Sequence, residues 1–268
     1  MADLTICPLF NFELKEESGQ EFQISDQIKL RRIKPDELAN IKKHPLIFTL
    51  GDSFLLLNPK TFVFEIKAND TKEEDLLVYQ ALLAMRLFKT GSVCCKHFLH
   101  LENSKLCYFF TINTPIPRWV EDNYLLNIDE IDEIKKLLGK IIQIQLGKNI
   151  SFRVACERFS RSFEERRDDD KIIDLAIAFE SLFTAENTSR SNVMGELIGL
   201  GCAMLLGTNQ KERDAIKQFL IKAFIIRNKI IHGSEVKTPL IINNEKYQMS
   251  DVTSKLREFL RSSIKKLI

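Results

Sequence analysis

Seven residues, Arg227-Asn228-Lys229-Ile230-Ile231-His232-Gly233, have the types and spacing for acid–base chemistry on a phosphate. An Arg offers a planar, permanently charged fork that holds an anionic oxygen. A His takes or gives a proton near neutral pH. Ile216, Leu220, Ala223, Arg227 and Ile230 recur in steps of three and four, the mark of one helical face, and Phe219 and Phe224 widen it. Arg227 therefore lies in line with an apolar stripe, where a charge is expensive unless something pairs with it. His232 comes just before Gly233, and glycine is the usual residue for leaving a helix in the left-handed conformation. The guanidinium and the imidazole thus stand about a turn and a half apart near a helix end. The same residues also have a purely structural reading, with Arg227 as half of a buried ion pair and His232 as a cap.

The helix that must position Arg227 is expected at residues 211–231, and its neighbour at 171–184 is apolar on nearly every side. Such a helix belongs at the centre of a bundle. Glu180 is the acid well inside it and needs a partner. If the two helices pack together, Arg227 is the natural candidate. Pairing would orient the guanidinium, and would also suffice to explain it structurally. The rest of the second half reads as helices at 128–146, 150–165, 191–206 and 250–268, with Asp168-Asp169-Asp170 and Ser250-Asp251 as caps. Gly195, Gly199 and Gly201 allow close approach to a neighbouring helix, and residues 232–249 read as a polar loop.

Residues 1–124 read differently, as a mixed domain of short strands with one or two helices. Strands are expected at 4–12, 22–33, 48–57 and 61–66, with a hairpin of 93–101 and 106–112. Pro35-Asp36-Glu37 opens a short helix, and Thr71-Lys72-Glu73-Glu74 is a capping box for a second that runs to about Lys89. Pro115-Ile116-Pro117-Arg118 is a stiff extended segment, and the domain boundary is placed just after it, near Tyr124. The fold class is α+β: a mixed domain at 1–124, then an all-α bundle at 125–268.

Arg-Asn-x-x-x-His at the end of the penultimate helix of such a bundle resembles the signature of the HEPN superfamily. The helix Leu175-Ala176-Ile177-Ala178-Phe179-Glu180-Ser181-Leu182-Phe183 and the ending Lys229-Ile230-Ile231-His232-Gly233 resemble most its Apea-like branch. The resemblance covers roughly the last 120 to 140 residues, and the first half is placed in no family. It implies a metal-independent endoribonuclease that needs no cofactor, with Arg227 and His232 catalytic. Asn228 would support substrate or the motif's geometry. One His serves poorly as both base and acid in one step, whereas two copies of the chain supply two. The resemblance implies the same composite site at a homodimer interface, often in toxin or antiviral defence systems, with RNA as substrate and an antitoxin or other defence component as partner. The alternative of a different class is a HEPN-like binding or interaction module without catalysis, in which Arg227 and Glu180 are structural. A weaker one is a nucleotide-transfer or small-molecule-binding regulator.

Composition narrows the classes further. The chain has 268 residues, 44% apolar and 28% charged, enough to bury a core without disulfides or metals. A net charge of +2 does not by itself select a class of partner. The second half is mildly basic, and among its arginines Arg158 and Arg161 are candidates for contacting substrate. No basic start followed by an apolar run opens the sequence, and its apolar windows are too short to cross a bilayer, so a cytoplasmic protein without membrane contact is expected. The six cysteines show no paired framework and are expected reduced. Cys94, Cys95, His97, His100 and Cys107 have the types for zinc, but their spacing fits no known finger and the segment reads as a strand. Gly195-x-x-x-Gly199-x-Gly201 lies within a helical pattern and lacks the preceding strand of a dinucleotide site.

Overall fold

The computed structural model describes residues 4–15, 20–45, 56–111, 123–144, 146–184 and 194–268. The strand expected at 48–57 and the proline segment at 115–118 fall mostly or wholly outside these residues. The chain divides into two units, Met1–Gln143 and Ile144–Ile268. The first contains β1 (Leu4–Phe10), β2 (Phe12–Lys15), β3 (Phe22–Gln23), β4 (Ile28–Arg32), α1 (Pro35–Lys43), β5 (Phe62–Ile66), α2 (Thr71–Phe88), β6 (Cys94–Cys95), β7 (His97–Glu102), β8 (Lys105–Thr111), β9 (Tyr124–Asn127) and α3 (Ile131–Ile144). The second contains α4 (Ile150–Arg161), α5 (Asp168–Phe183), α6 (Met194–Leu206), α7 (Gln210–Ile231), β10 (Leu240–Ile242), β11 (Glu245–Tyr247) and α8 (Met249–Leu267).

β1 organises the first unit. It lies inside an antiparallel sheet of order β3-β4-β5-β1-β7-β8, with β6 also paired to β1. Pro8 sits in this central strand without harm to the ladder. β7 pairs only with Leu4–Ile6 and β6 only with Leu9 and Phe10, so the missing N–H falls where one neighbour gives way to the other. From Thr5 to Phe10 every residue of the strand is buried, because alternate side chains face opposite covers. Ile6 and Phe10 join Leu38 and Ile41 of α1, while Thr5 reaches α2.

The division between the units falls after most of α3, some twenty residues beyond the boundary expected near Tyr124. β9 pairs in parallel with β2, and Ile134 of α3 meets Leu30, Phe64, Met85 and Leu126 around one small void. α3 is amphipathic, with Ile131, Ile134, Leu137, Leu138 and Ile141 buried. Gly91 allows the chain to turn tightly against β9, since it has φ +131° and a Cβ there would lie 2.7 Å from the Tyr124 Cα.

In the second unit α5 packs against α4, α6, α7 and α8, the central place its apolar sequence calls for. Gly199 brings α6 against the Lys217 carbonyl of α7, and Gly201 leaves room for the Phe183 ring. Three local expectations change. Asp168, Asp169 and Asp170 lie inside the first turn of α5, where they meet the positive end of the dipole, and Arg167 holds the cap position. Gln248 is the cap residue of α8, with Asp251 accepting from its backbone N–H at 2.8 Å. The polar loop before α8 holds a two-stranded hairpin, β10–β11, so the second half is not purely helical. Asn243 and Asn244 both adopt positive φ, as its tight turn requires.

One ionic cluster ties the sheet to α1. Arg31, almost wholly buried, donates to both oxygens of Glu37 at 2.7 and 2.9 Å and to Glu65 at 2.5 Å. Glu37 also accepts from the Lys34 backbone N–H, closing the helix start. Burial alone would raise the Glu65 carboxyl, but Arg31 and Lys29 hold it below its ordinary value. Stability from that group is present above the ordinary carboxylate range and is lost as pH falls through the depressed value. Urea unfolding is expected to show Glu37→Gln costing about 3 kcal/mol at pH 7, because a buried guanidinium loses its main partner. On acidification Glu65→Gln should flatten the decline of stability that the natural chain shows. A slope unaltered by that substitution would refute the assignment.

Candidate active site at the end of α7

α7 begins on Asn209, whose side chain accepts from the Glu212 N–H, and runs for 22 residues. It ends in a Schellman turn: Ser234 N–H donates to Lys229 O at 2.8 Å and Gly233 N–H to Ile230 O at 3.0 Å, with Gly233 at φ +68°. His232 is the cap residue of this turn and is exposed. Its place is set by backbone hydrogen bonds and the glycine, so the imidazole is presented to solvent from a rigid end.

Arg227 faces the other way, toward α5. Its Nη2 lies 3.2 Å from Glu180 Oε1, and its Nη1 donates to Asn228 Oδ1 at 3.1 Å. Nε is buried and has no hydrogen-bond partner among the described residues. The guanidinium is thereby fixed by one carboxylate and one amide, both residues that the sequence singles out. The ion pair is half-buried, with 23% of the Arg227 side chain and 27% of that of Glu180 exposed. It lies at the C-terminal turn of α5, where Ser181, Leu182 and Phe183 are also partly open.

Glu180 is not the most deeply placed acid of α5. Asp174 is, at 4% exposed, and it takes Arg158 at 2.7 Å and Arg161 at 3.5 Å. Burial pushes the Asp174 carboxyl up, against the opposing pull of Arg158 and Arg161. The two arginines thus converge on α5, and Arg161 also donates to Glu165 at 3.1 Å. Asp174 and Glu180 stand six positions apart, roughly 9 Å along the axis and on different sides of the helix. The structure therefore gathers the candidate residues into two groups: Arg227 with Asn228 and Glu180, and Arg158 and Arg161 around Asp174.

α7 carries a second strip, complementary to its apolar stripe. Gln218, Lys222, Ile225, Lys229 and His232 follow one another in steps of three and four, and all are exposed. His232 thus ends a solvent-facing strip with two cations and an apolar side chain. The spacing is plain in the sequence, but a mixed polar strip has no hydrophobic signal to draw it out.

A double-mutant cycle of Arg227→Gln and Glu180→Gln, followed by urea unfolding, is expected to give a coupling of about 1 kcal/mol, as a half-exposed pair should. A coupling indistinguishable from zero would show that Glu180 does not hold the guanidinium. No family model matches the chain, and no curated protein or solved structure matches it either.

Proposed function

We propose that the second unit is a metal-independent endoribonuclease of the HEPN type, acting on single-stranded RNA at a site shared by two copies of the chain, in a toxin or antiviral defence role. The observation that carries this reading is the pairing of an oriented Arg227 with an exposed, rigidly capped His232 at one helix end. In the reaction one His232 takes the proton of a ribose 2′-hydroxyl as its oxygen attacks the adjacent phosphorus. The bond to the 5′-oxygen breaks, and the other copy's imidazolium protonates that oxygen. The products are a 2′,3′-cyclic phosphate and a free 5′-hydroxyl. Arg227 offsets the charge that builds on the phosphoryl oxygens.

Two features support a shared site. One chain has one such His, and acid and base must act together. Ile225 and Ile231, 45% and 48% exposed, flank the motif as apolar surface for a second copy to cover. Lys222 and Lys229 on the His232 strip provide charge for the RNA backbone. The second reading, a binding module without catalysis, is favoured by the Glu180 pair, which gives Arg227 a charge partner without any substrate.

Purified protein is expected to cleave single-stranded RNA in EDTA and leave cyclic phosphate ends. His232→Ala should remove this activity, at least about a hundredfold, with Tm nearly unchanged because the side chain is exposed. Should His232→Ala retain full cleavage, the assignment of His232 fails; should no cleavage occur while Arg227→Ala unfolds the chain, the binding-module reading stands instead. Sedimentation at micromolar concentration should show a dimer, and a monomer with and without RNA would refute the shared site.

A further inference from the structure

A cleft of about 500 Å³ opens in the first unit, between one end of the sheet and the start of α2. Its floor follows from strand register. Thr5 of β1 lies opposite His100 of β7, which lies opposite Tyr108 of β8, so the three side chains share one face. Its wall is the first turn of α2, from which Glu74 reaches down. Glu74 Oε1 accepts from the Thr5 hydroxyl at 2.6 Å, and Thr5 Oγ1 lies 2.9 Å from His100 Nδ1. Glu74 Oε2 stands 3.5 Å from His100 Nε2. All three residues are at least nine-tenths buried, which fixes the carboxylate at the base of the cleft. The Tyr108 ring stacks on His100 at 4.2 Å and lines the opening, 45% exposed.

Charge decides what such a cleft would take. Asp26, Asp70 and Glu74 line it, against one fixed cation among the described residues, Lys67. Burial holds the His100 imidazole below its ordinary value, against the pull of Glu74. An anion at the start of α2 would gain from the helix dipole, but the carboxylate of Asp70, the cap residue, already takes one of the donors there. Asp70 accepts from the Glu73 N–H, and Glu73 accepts from the Asn69 N–H. The volume matches small-molecule sites, which combine apolar walls with a few placed polar groups. A phenol ring beside carboxylates attracts an organic cation through its π-face.

We propose that this cleft binds a small organic cation carrying an ammonium or guanidinium group, with Glu74 as its buried charge partner, Asp26 at the rim and Tyr108 as its aromatic wall. The site is independent of the chemistry proposed for the second unit.

Calorimetry on the full chain with agmatine and spermidine as probes, and ADP as the anionic control, tests it. At least one of the two cations should bind saturably and raise Tm, while ADP does not. Asp26→Asn and Tyr108→Ala, both at exposed positions, should each weaken that binding several-fold, and Glu74→Gln by at least about tenfold. If Glu74→Gln fails to fold, the two exposed variants still decide the matter. His232→Ala should leave cation binding unchanged, which separates this site from the proposed nuclease. No saturable binding by either cation, binding indifferent to Asp26→Asn and Tyr108→Ala, or preference for ADP would each overturn the assignment.

Discussion

Burying α5 among α4, α6, α7 and α8 places a condition on every acid it carries: each must find a cation or stay near water. Asp174, almost sealed, meets the condition with two arginines. Glu180 meets it with Arg227 at a turn that is already partly open. The arginine of α7 is therefore aimed by the packing of α5, whatever it goes on to do. A guanidinium held by one edge, with another donor turned toward an amide, is limited to a small range of directions. That limit is what preorganisation means at a site handling phosphate.

The first unit obeys the same rule with different means. Arg31 sits inside the sheet with Glu37 and Glu65 around it, so its charge joins a strand to α1. A second buried carboxyl group, Glu74, is instead held by the Thr5 hydroxyl and lies beside the His100 imidazole, which burial holds below its ordinary value. The contrast matters. Arg31 sets a fixed positive charge among its acids, whereas Glu74 is met by a hydroxyl and an imidazole. The first arrangement closes a core; the second puts a carboxyl group at the bottom of an opening.

How much of this is legible in the sequence depends on the range over which each feature is decided. Pro35 at a helix start, Gly233 after a helix end and the hairpin around Asn103-Ser104 are local, and neighbouring residues are enough to place them. α5 at the centre is also legible, since an element apolar all round has few other places to go. The start of α2 differs from its expected cap for an instructive reason. Thr71 and Glu74 match a capping box, but Asp70 is an equally good cap one residue earlier. What decides between them is Thr5, 69 positions away, which takes the Glu74 side chain. Asp174 gives no local sign of its role because its neighbours are apolar and its partner Arg158 lies on the preceding helix. The short strands β10 and β11 have three residues each, too few for alternation to show.

The geometry of α7 bears on the stoichiometry of the proposed reaction. Arg227 and His232 stand five positions apart, a rise of roughly 7.5 Å and a rotation of about 140° beyond a full turn. One side chain turns inward to α5 and the other outward with Lys222, Ile225 and Lys229. Within one chain they do not converge on a single phosphate from a straight helix. A second copy related by a two-fold axis near the end of α7 would place its own His232 and Arg227 opposite the first pair. In the dimer proposed above the two outward imidazoles would supply base and acid, and each Arg227 lies at the partly open end of its own α5. The partly exposed turn at Ser181–Phe183 has this consequence: were α5 sealed to its last residue, Arg227 would be a purely internal ion, and the acid–base role proposed for His232 would lack a phosphate clamp.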